Sequence, residues 1–458
     1  MVVDTSVEQF AGSLRGQLIQ QGHAEYEEAR HVMNGMIDRR PRIIVRCADV
    51  ADVMNCVNFA REKGLVLSIR GGGHNIAGFG TNDGGLVIDL GRMKGIRVDA
   101  ANRTVRAQGG CTWGDVDHAT HPFGLAAAGG VVSTTGIGGL SLGGGMGHLT
   151  RPFGLACDNL VSADVVTADG QCVVANEKEN ADLYWALRGG GGNFGVVTSF
   201  EFRLHPVGII YGGPILWPID RTAEAMKFYR EFIANAPNEV NVIFGLLMVP
   251  PAEPFPEHLH GKNVCGAIVC CVAPLDKAES LVQHLKEFGP PIMDGTGPIP
   301  FPMLQQAFDD MSPPGILDYE KGDFTAELSD ELIASHAKFG ADVPNFLSGT
   351  LIFPINGAAH QAGKNDTAWS YRDVNFSQVI FGLDDDPSVM PQRIEWVRAY
   401  YDAIHPHSAG GSYVNFLMDE GDDRIRASYR DNYARLARIK AKYDPGNLFR
   451  MNQNIKPA

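Results

Sequence analysis

Arg70-Gly71-Gly72-Gly73-His74-Asn75 sets an imidazole directly after three consecutive glycines. Glycines in a row lose backbone entropy and pack nothing, so they weaken a strand or helix. They suit an anion loop, because N–H groups without a neighbouring Cβ can turn toward one phosphate and approach it closely. His74 is then held beside whatever the loop binds, and neutral imidazole is a nucleophile near physiological pH. The pairing points to a large phosphorylated cofactor, with attachment through the histidine as one option. Taken alone, the stretch also reads as a glycine-rich turn with a surface histidine.

Two further glycine stretches follow, Gly129 to Gly147 and Arg188 to Gly195. Gly190-x-Gly192-x-x-Gly195 fits the dinucleotide pattern, but that fingerprint needs a strand before it and a helix after it. The order read here is helix then strand, which argues against a Rossmann site, and no phosphate loop ending in Gly-Lys-Ser/Thr is present. His118 with His121, and His405 with His407, lack a clear third ligand, so no metal is expected. Tyr413 and Asn415 stand at strand spacing and would share a face. A tyrosine, with a free pKa of about 10, needs neighbours to act as a base near neutrality, and a buried one otherwise simply packs. Asn452-Gln453-Asn454 supplies amides suited to a polar ring edge.

Positioning these residues takes more than one core, and 458 residues predict two domains. A hydrophobic fraction of 44% and a charged fraction of 20% are those of a soluble globular chain. The net charge of −14, without a basic block, argues against nucleic acid or an anionic membrane as partner. The amino terminus has no basic region and no long apolar run, so neither leader nor membrane span is expected, and a cytoplasmic location is. Eight cysteines without CxxC spacing read as buried thiols in a reducing compartment, Cys270 and Cys271 among them.

Periodicity predicts helices at 6–22, 113–119, 182–187, 222–235, 276–288, 325–338 and 391–404, and a long polar helix at 422–443. Another helix is capped by Asp49 or Asp52 and closed by Gly64. Strands are expected at 41–45, 65–69, 85–90, 104–108, 196–204, 241–249, 264–272, 347–354, 375–382 and 413–416, with a hairpin over 160–175. The Pro-rich stretches 251–262 and 290–302 read as connections. Glycine thins out after Pro206, where the pattern becomes α+β on an antiparallel sheet.

Four places together resemble one family, the berberine-bridge-enzyme-like branch of the vanillyl-alcohol-oxidase/PCMH-type FAD oxidoreductases. They are Arg70 to Asn75, Gly129 to Asn159 with Gly-Leu-Ala-Cys-Asp-Asn at its end, Tyr413-Val-Asn415, and Tyr443-Asp-Pro-Gly-Asn-Leu-Phe-Arg-Met-Asn-Gln-Asn454. The resemblance implies an α+β fold: a PCMH-type FAD-binding domain of two subdomains over 1–206, a substrate domain with an antiparallel sheet over 207–412, and a segment 413–458 that completes the first domain. It implies FAD held by Arg70, Gly71, Gly72, Gly73, His74, Asn75 and Gly78 in the first loop. The second stretch would add Gly129, Gly130, Val132, Ser133, Thr135, Gly136, Gly138, Gly139, Gly143, Gly145 and Gly147. Asn159, Gly195, Val197, Asn415, Asn452 and Asn454 complete the implied set.

By the same resemblance, His74 bonds the flavin 8α-methyl. Many members add a second bond from a cysteine four residues before the Gly-x-Gly-Gly segment. That segment is Gly136 to Gly139 here, Val132 occupies the cysteine position, and one covalent link is expected. Cys157 does not fall at the linking position. Thr135 takes a place that influences dioxygen access, and a small polar residue there implies an oxidase. The implied reaction moves hydride from a substrate C–H to the flavin, then electrons to dioxygen, releasing H2O2, with Tyr413 as the implied base. Tyr371, Arg372 and Gln378 are candidates for the pocket wall. A flavin dehydrogenase using another acceptor, or a flavin carrier without turnover, are the alternatives. Relatives oxidise sugars, alkaloids, polyketides, secondary alcohols and monolignols, so a small-molecule substrate is implied.

Overall fold

The computed structural model describes residues 5–458; residues 1–4, the start of the stretch read for a leader, lie outside the described residues. Ile43-Ile44-Val45 and Leu86-Val87-Ile88 are completely buried, as strands covered on both faces must be. They centre a four-stranded sheet of β1 (Gln17–Ile19), β2 (Ile43–Arg46), β3 (Leu67–Arg70) and β4 (Leu86–Asp89), in the order β1-β2-β4-β3. β2, β4 and β3 run parallel, and β1 is antiparallel at the edge. The helix Val50–Lys63 makes the crossover; the Asp49 side chain accepts from the N–H groups of Ala51 and Asp52, and Gly64 ends it at a φ of 63°. β3 therefore delivers Arg70 and the glycine loop to the sheet's carboxyl edge.

A second sheet is antiparallel. It joins β5 (Ile96–Asp99) and β6 (Thr104–Gln108), ahead of a short β7 (Leu125–Ala126), to β8 (Leu160–Val166), β9 (Cys172–Asn176) and β10 (Val196–Arg203), in the order β5-β6-β10-β8-β9. β7 pairs separately with β11 (His205–Pro206). The third sheet holds β12 (Ile209–Pro218), β13 (Val240–Met248), β14 (Asn263–Cys271), β15 (Met293–Asp294), β16 (Gly297–Pro300), β17 (Leu317–Thr325), β18 (Gly349–Pro354) and β19 (Phe376–Asp384). Its path is β15-β12-β14-β13-β18-β19-β17, with β16 also on β12, all antiparallel. One face is covered by the helices Thr222–Asn235, Leu275–Lys286, Asp330–Gly340 and Met390–Ile404. The other face, carrying Leu351, Phe353, Val379 and Phe381, joins the core of the glycine-rich half.

Several elements depart from the sequence reading. The first helix stops at Gly12. Arg15 and Gly16 turn to donate their N–H groups to the Asp52 carboxylate, each at 2.8 Å, and β1 follows. A Cβ at Gly16 would sit 2.2 Å from the Arg46 carbonyl oxygen, so this turn requires glycine. The Tyr413 stretch is no strand but a single 3₁₀ turn, Val414–Phe416. The long polar helix is two, Asp422–Tyr429 and Asn432–Tyr443, broken where Arg430 takes a φ of 46°. β12 and β17 were not expected, and β17 pushes the following helix back to begin at Asp330, behind its Ser329 cap. The proposed connection 290–302 contains β15 and β16. Seven cysteines are buried, but Cys172 is exposed.

Candidate active site

A cleft of about 380 Å³ separates the glycine loops from the face of the third sheet that its helices leave uncovered. Its first wall is the loop after β3. Gly72 approaches the second glycine stretch so closely that a Cβ would lie 2.4 Å from the Gly136 nitrogen. Among the described residues, the main-chain N–H groups of Gly71, Gly72, Gly73 and His74 have no hydrogen-bond acceptor. Arg70 is committed elsewhere: its guanidinium pairs with Asp89 at 2.8 Å and with the His31 carbonyl at 3.0 Å. His74 Nε2 lies 3.0 Å from Thr134 Oγ1, and burial holds the imidazole down to about 4, so it is neutral at pH 7.

Of the residues expected to bind the cofactor, Arg70 to Asn75, Gly130, Val132, Thr135, Gly136, Gly138, Gly139, Gly195, Val197, Asn415 and Asn452 line the cleft, as does Tyr413. The structure sets the others behind the wall. Gly78 lies against Ile37, Gly129 against Trp113 and Gly147 against the Gly130 carbonyl, each with room only for hydrogen. Gly143 backs onto Asn415 and Gly145 onto Ala156. Ser133 donates its N–H and its hydroxyl to Asp309, at 2.8 and 2.5 Å. Asn159 ties down the Phe153 and Leu155 carbonyls, both at 2.9 Å. Asn454 is not in the wall, although its Oδ1 is buried without a partner. Asn452 is, donating to the Gly192 carbonyl at 3.0 Å with its own Oδ1 buried and unpartnered.

Tyr413 is 3% exposed, and its hydroxyl oxygen accepts from Gly145 N–H at 3.0 Å and Asn415 Nδ2 at 2.7 Å. Those donors favour the phenolate, but burial outweighs them and lifts the hydroxyl above the ordinary tyrosine range. The group is protonated at neutral pH, which opposes the role of base that the family resemblance implies for it. Tyr371, Arg372 and Gln378 do not reach the cleft. Tyr371 donates to the Ala427 carbonyl at 2.9 Å, Arg372 forks onto Asp158 at 2.8 and 2.6 Å, and Gln378 accepts from or faces His336 at 3.0 Å.

The opposite wall adds what sequence reading missed. Asp318 and Glu320, two apart on β17, share the face that looks into the cleft. Around them are Phe308, Ile316, Leu351, Phe353, Val379 and Phe381, nearly all apolar contact. Burial lifts Asp318 to about 7, and it lifts Glu320 well above the usual carboxylate range, with the Asp318 charge adding to it. Two carboxyls so placed cannot both be ionised at neutral pH, so the pair holds a proton and can exchange it. The signal was available as alternation in Leu317-Asp-Tyr-Glu-Lys321, but the charged residues hid a strand.

The donor set fits an extended diphosphate cofactor with a polar ring edge. Four N–H groups lie open in one loop, the Asn452 amide has an orphan oxygen, and a Cβ at Gly139 would meet nothing within 4 Å, leaving space along the wall for a ligand. Residues 41–176 match the profile of the FAD binding domain, and residues 412–456 that of berberine and berberine-like proteins. An FAD-linked oxidoreductase of Dictyostelium discoideum is 31% identical over 98% of this chain and 97% of its own. The (R)-6-hydroxynicotine oxidase of Paenarthrobacter nicotinovorans is 28% identical, covering 97% of each chain. Among solved structures, 6-hydroxy-D-nicotine oxidase from Arthrobacter nicotinovorans superposes with a TM-score of 0.86 at 26% identity, over 97% of this chain and 99% of that one. A chitooligosaccharide oxidase does so at 0.83 and 26%, over 99% and 100%. This chain therefore belongs to the berberine-bridge-enzyme-like family of PCMH-type FAD-linked oxidoreductases and is an FAD enzyme.

Proposed function

We propose that the protein is an FAD-dependent oxidase that takes hydride from a small organic substrate (an alcohol, a sugar or a secondary metabolite) and passes the electrons to dioxygen, giving H2O2. The observation that carries this reading is the facing of two walls in one cleft: a loop of open N–H groups with His74 on one side, and a carboxyl pair in an apolar surface on the other. Relatives named as oxidases of hydroxynicotine and of chitooligosaccharide support it. When bound, FAD supplies the two-electron acceptor and the route to dioxygen.

The chain's own residues then have distinct tasks. Gly71 to His74 would bind the diphosphate through N–H groups, and the orphan Asn452 amide a polar ring edge. His74 would carry the single tether, since Val132 stands where a second linking cysteine would be. The segment 207–412 would be the substrate domain, closed by 413–458. Asp318, titrating near 7, would accept the proton from the substrate's hydroxyl or amine as hydride leaves. The Tyr413 oxygen already accepts two hydrogen bonds, so its own O–H is left to orient the substrate. Thr135 lines the cleft, and its small side chain would leave dioxygen room to approach.

Two measurements test the reading together. Acid precipitation of the purified protein should leave the yellow colour in the pellet, and digestion should carry it to a peptide spanning Gly71–Asn75. After anaerobic reduction by a substrate from a panel of alcohols, sugars and amines, mixing with air should restore the oxidised spectrum within seconds. Colourless protein removes the cofactor assignment; slow reoxidation in air, with fast reoxidation by a dye, makes it a dehydrogenase.

A further inference from the structure

We propose that the cleft takes a substrate with an apolar body and one basic nitrogen, which enters as an ammonium and is met by Asp318 and Glu320. This deepens the oxidase reading above and rests on it. Carboxyls elsewhere in the interior have cations of their own. Asp89 meets Arg70 at 2.8 Å, Asp158 meets Arg372 at 2.6 Å, Asp323 meets Arg424 at 2.8 Å and Asp444 meets Lys440 at 2.7 Å. Asp318 and Glu320 have no such cation among the described residues, and Asp318 Oδ1 is buried without a partner. Arg70 is the one arginine or lysine among the described residues of the cleft, and it is committed to Asp89. Charging a carboxyl pair in an apolar wall is unfavourable, and a cation brought by the substrate offsets that where the protein supplies none. Asp117 also lacks a cation, but it is not in the cleft wall.

The rest of the wall sets the body. Phe308, Ile316, Leu351, Phe353, Val379 and Phe381 offer only hydrocarbon. Asn34 has no amide atom to spare: Nδ2 donates to the Ile76 and Asp318 carbonyls, and Oδ1 accepts from the N–H groups of Met36 and Asp318. A sugar carries hydroxyls on every side, and each one left without a partner against this wall costs free energy.

An amine also gives both carboxyls a task. One carboxylate takes the N–H proton of the ammonium and frees the nitrogen lone pair. The neighbouring C–H bond then breaks, hydride carries two electrons to FAD, and the lone pair closes a C=N bond. The product is an iminium cation, one hydride poorer than the neutral amine, and the second carboxylate faces the charge that develops. Water later converts it to a carbonyl compound and an amine, releasing one proton. An alcohol would give a neutral carbonyl and leave the second carboxylate with nothing to stabilise.

The test titrates the holoenzyme at pH 8 with benzyltrimethylammonium and with benzyl methyl ether, reading the shift of the flavin visible band. The quaternary cation has no N–H and no lone pair, so it reports charge recognition without turnover. It should bind at least about tenfold more tightly than the ether, the low end for a close charge pair away from water. Glu320→Gln should lose that preference and keep the ether affinity. Anaerobic reduction of the flavin should be faster with N-methylbenzylamine than with cellobiose. A wild type that binds the cation no better than the ether, or binds neither, overturns the inference, and this comparison decides alone should Glu320→Gln not fold. A preference that survives in Glu320→Gln overturns the role of the pair. Faster reduction by cellobiose overturns the substrate class and leaves the oxidase reading intact. Slow reoxidation in air after reduction by the amine overturns the oxidase reading and leaves the ammonium preference standing.

Discussion

At the scale of single residues, the cleft sets two candidate proton acceptors side by side in function but not in ionisation. Asp318 titrates near 7, whereas Tyr413 is held above its ordinary range. A base must be deprotonated to work, so flavin reduction in the wild type should rise as pH climbs through about 7 and level off above it. Asp318→Asn should abolish that limb and slow reduction by roughly 10²–10⁴, the usual worth of a positioned base. Tyr413→Phe should keep the limb and lose about tenfold from substrate orientation, as befits one hydrogen bond. A Tyr413→Phe enzyme lacking the limb near 7 would return the role of base to the tyrosine; stopped-flow reduction across pH 5–10 reads all three. Asp117 offers a parallel case in stability. It is 3% exposed, neither carboxyl oxygen has a partner among the described residues, and burial lifts it to about 8, with the Asp309 charge adding. The folded form therefore keeps a proton that the unfolded chain releases above about 4. Its contribution is favourable below that pH and is lost as pH rises through about 8, on the order of 2–5 kcal/mol. Asp117→Asn does not titrate, so its melting temperature should gain on wild type between pH 5 and pH 9. Parallel pH slopes would exclude the effect.

At the scale of elements, the site is made where two glycine stretches meet, and glycine serves two different ends there. A Cβ at Gly72 would strike the Gly136 nitrogen at 2.4 Å, while a Cβ at Gly139, inside the helix Ile137–Leu142, would meet nothing in the protein. Gly139→Ala should thus fold with equal or greater stability, since alanine favours a helix over glycine by up to about 1 kcal/mol. Its methyl would stand in the cofactor's place, and overpacking of that kind costs about 1–3 kcal/mol, or roughly 5- to 150-fold in flavin affinity. Gly72→Ala should instead fail in folding itself. Melting curves and flavin-to-protein ratios of the two variants separate these outcomes, and a Gly139→Ala protein with normal flavin content would sink the cradle assignment. Much of this was legible beforehand. The helix Thr222–Asn235 and strand β6 fall where periodicity put them, and the glycine loops face one cleft. What sequence hid has physical causes. β17 alternates carboxyls with Leu317, Tyr319 and Lys321, so it lacks the apolar face that usually marks a strand. Asn415 meets Tyr413 at 2.7 Å through a 3₁₀ turn, not through strand alternation. Arg372 looked like a pocket residue because a buried cation beside a strand has no local signature that tells an ion pair from a ligand.

At the scale of the whole molecule, the cleft exists only because the third sheet is tied to the glycine-rich half along its length. Gly35 N–H donates to the Ile316 carbonyl at 2.7 Å and Gly315 N–H to the Met33 carbonyl at 2.9 Å. Asn34 spans the gap, donating to the Ile76 carbonyl at 2.8 Å on one side and the Asp318 carbonyl at 2.9 Å on the other. Lys440, wholly buried, anchors the carboxy-terminal stretch to Asp444, to the Phe449 carbonyl and to the Asn193 carbonyl of the third glycine loop. The Arg372–Asp158 fork ties the loop before β19 to the turn that supports Gly144 and Gly145, whose N–H in turn reaches Tyr413. So many polar ties, those of Asn34, Arg372 and Lys440 buried or half-buried, should make the halves unfold as one unit. Far-UV circular dichroism, which reports all three sheets, and flavin fluorescence, which reports the cleft, should then give coincident transitions in denaturant. Arg372→Ala removes one partner of a buried fork and leaves Asp158 with an uncompensated charge, which typically costs about 3–5 kcal/mol. Arg372→Lys should recover only part of that loss, because an ammonium cannot reproduce the two parallel bonds. Both variants should shift the two signals together. If Arg372→Ala instead releases flavin at a denaturant concentration well below that needed to melt the sheets, the tie is a hinge between separable bodies and the cleft can open without unfolding.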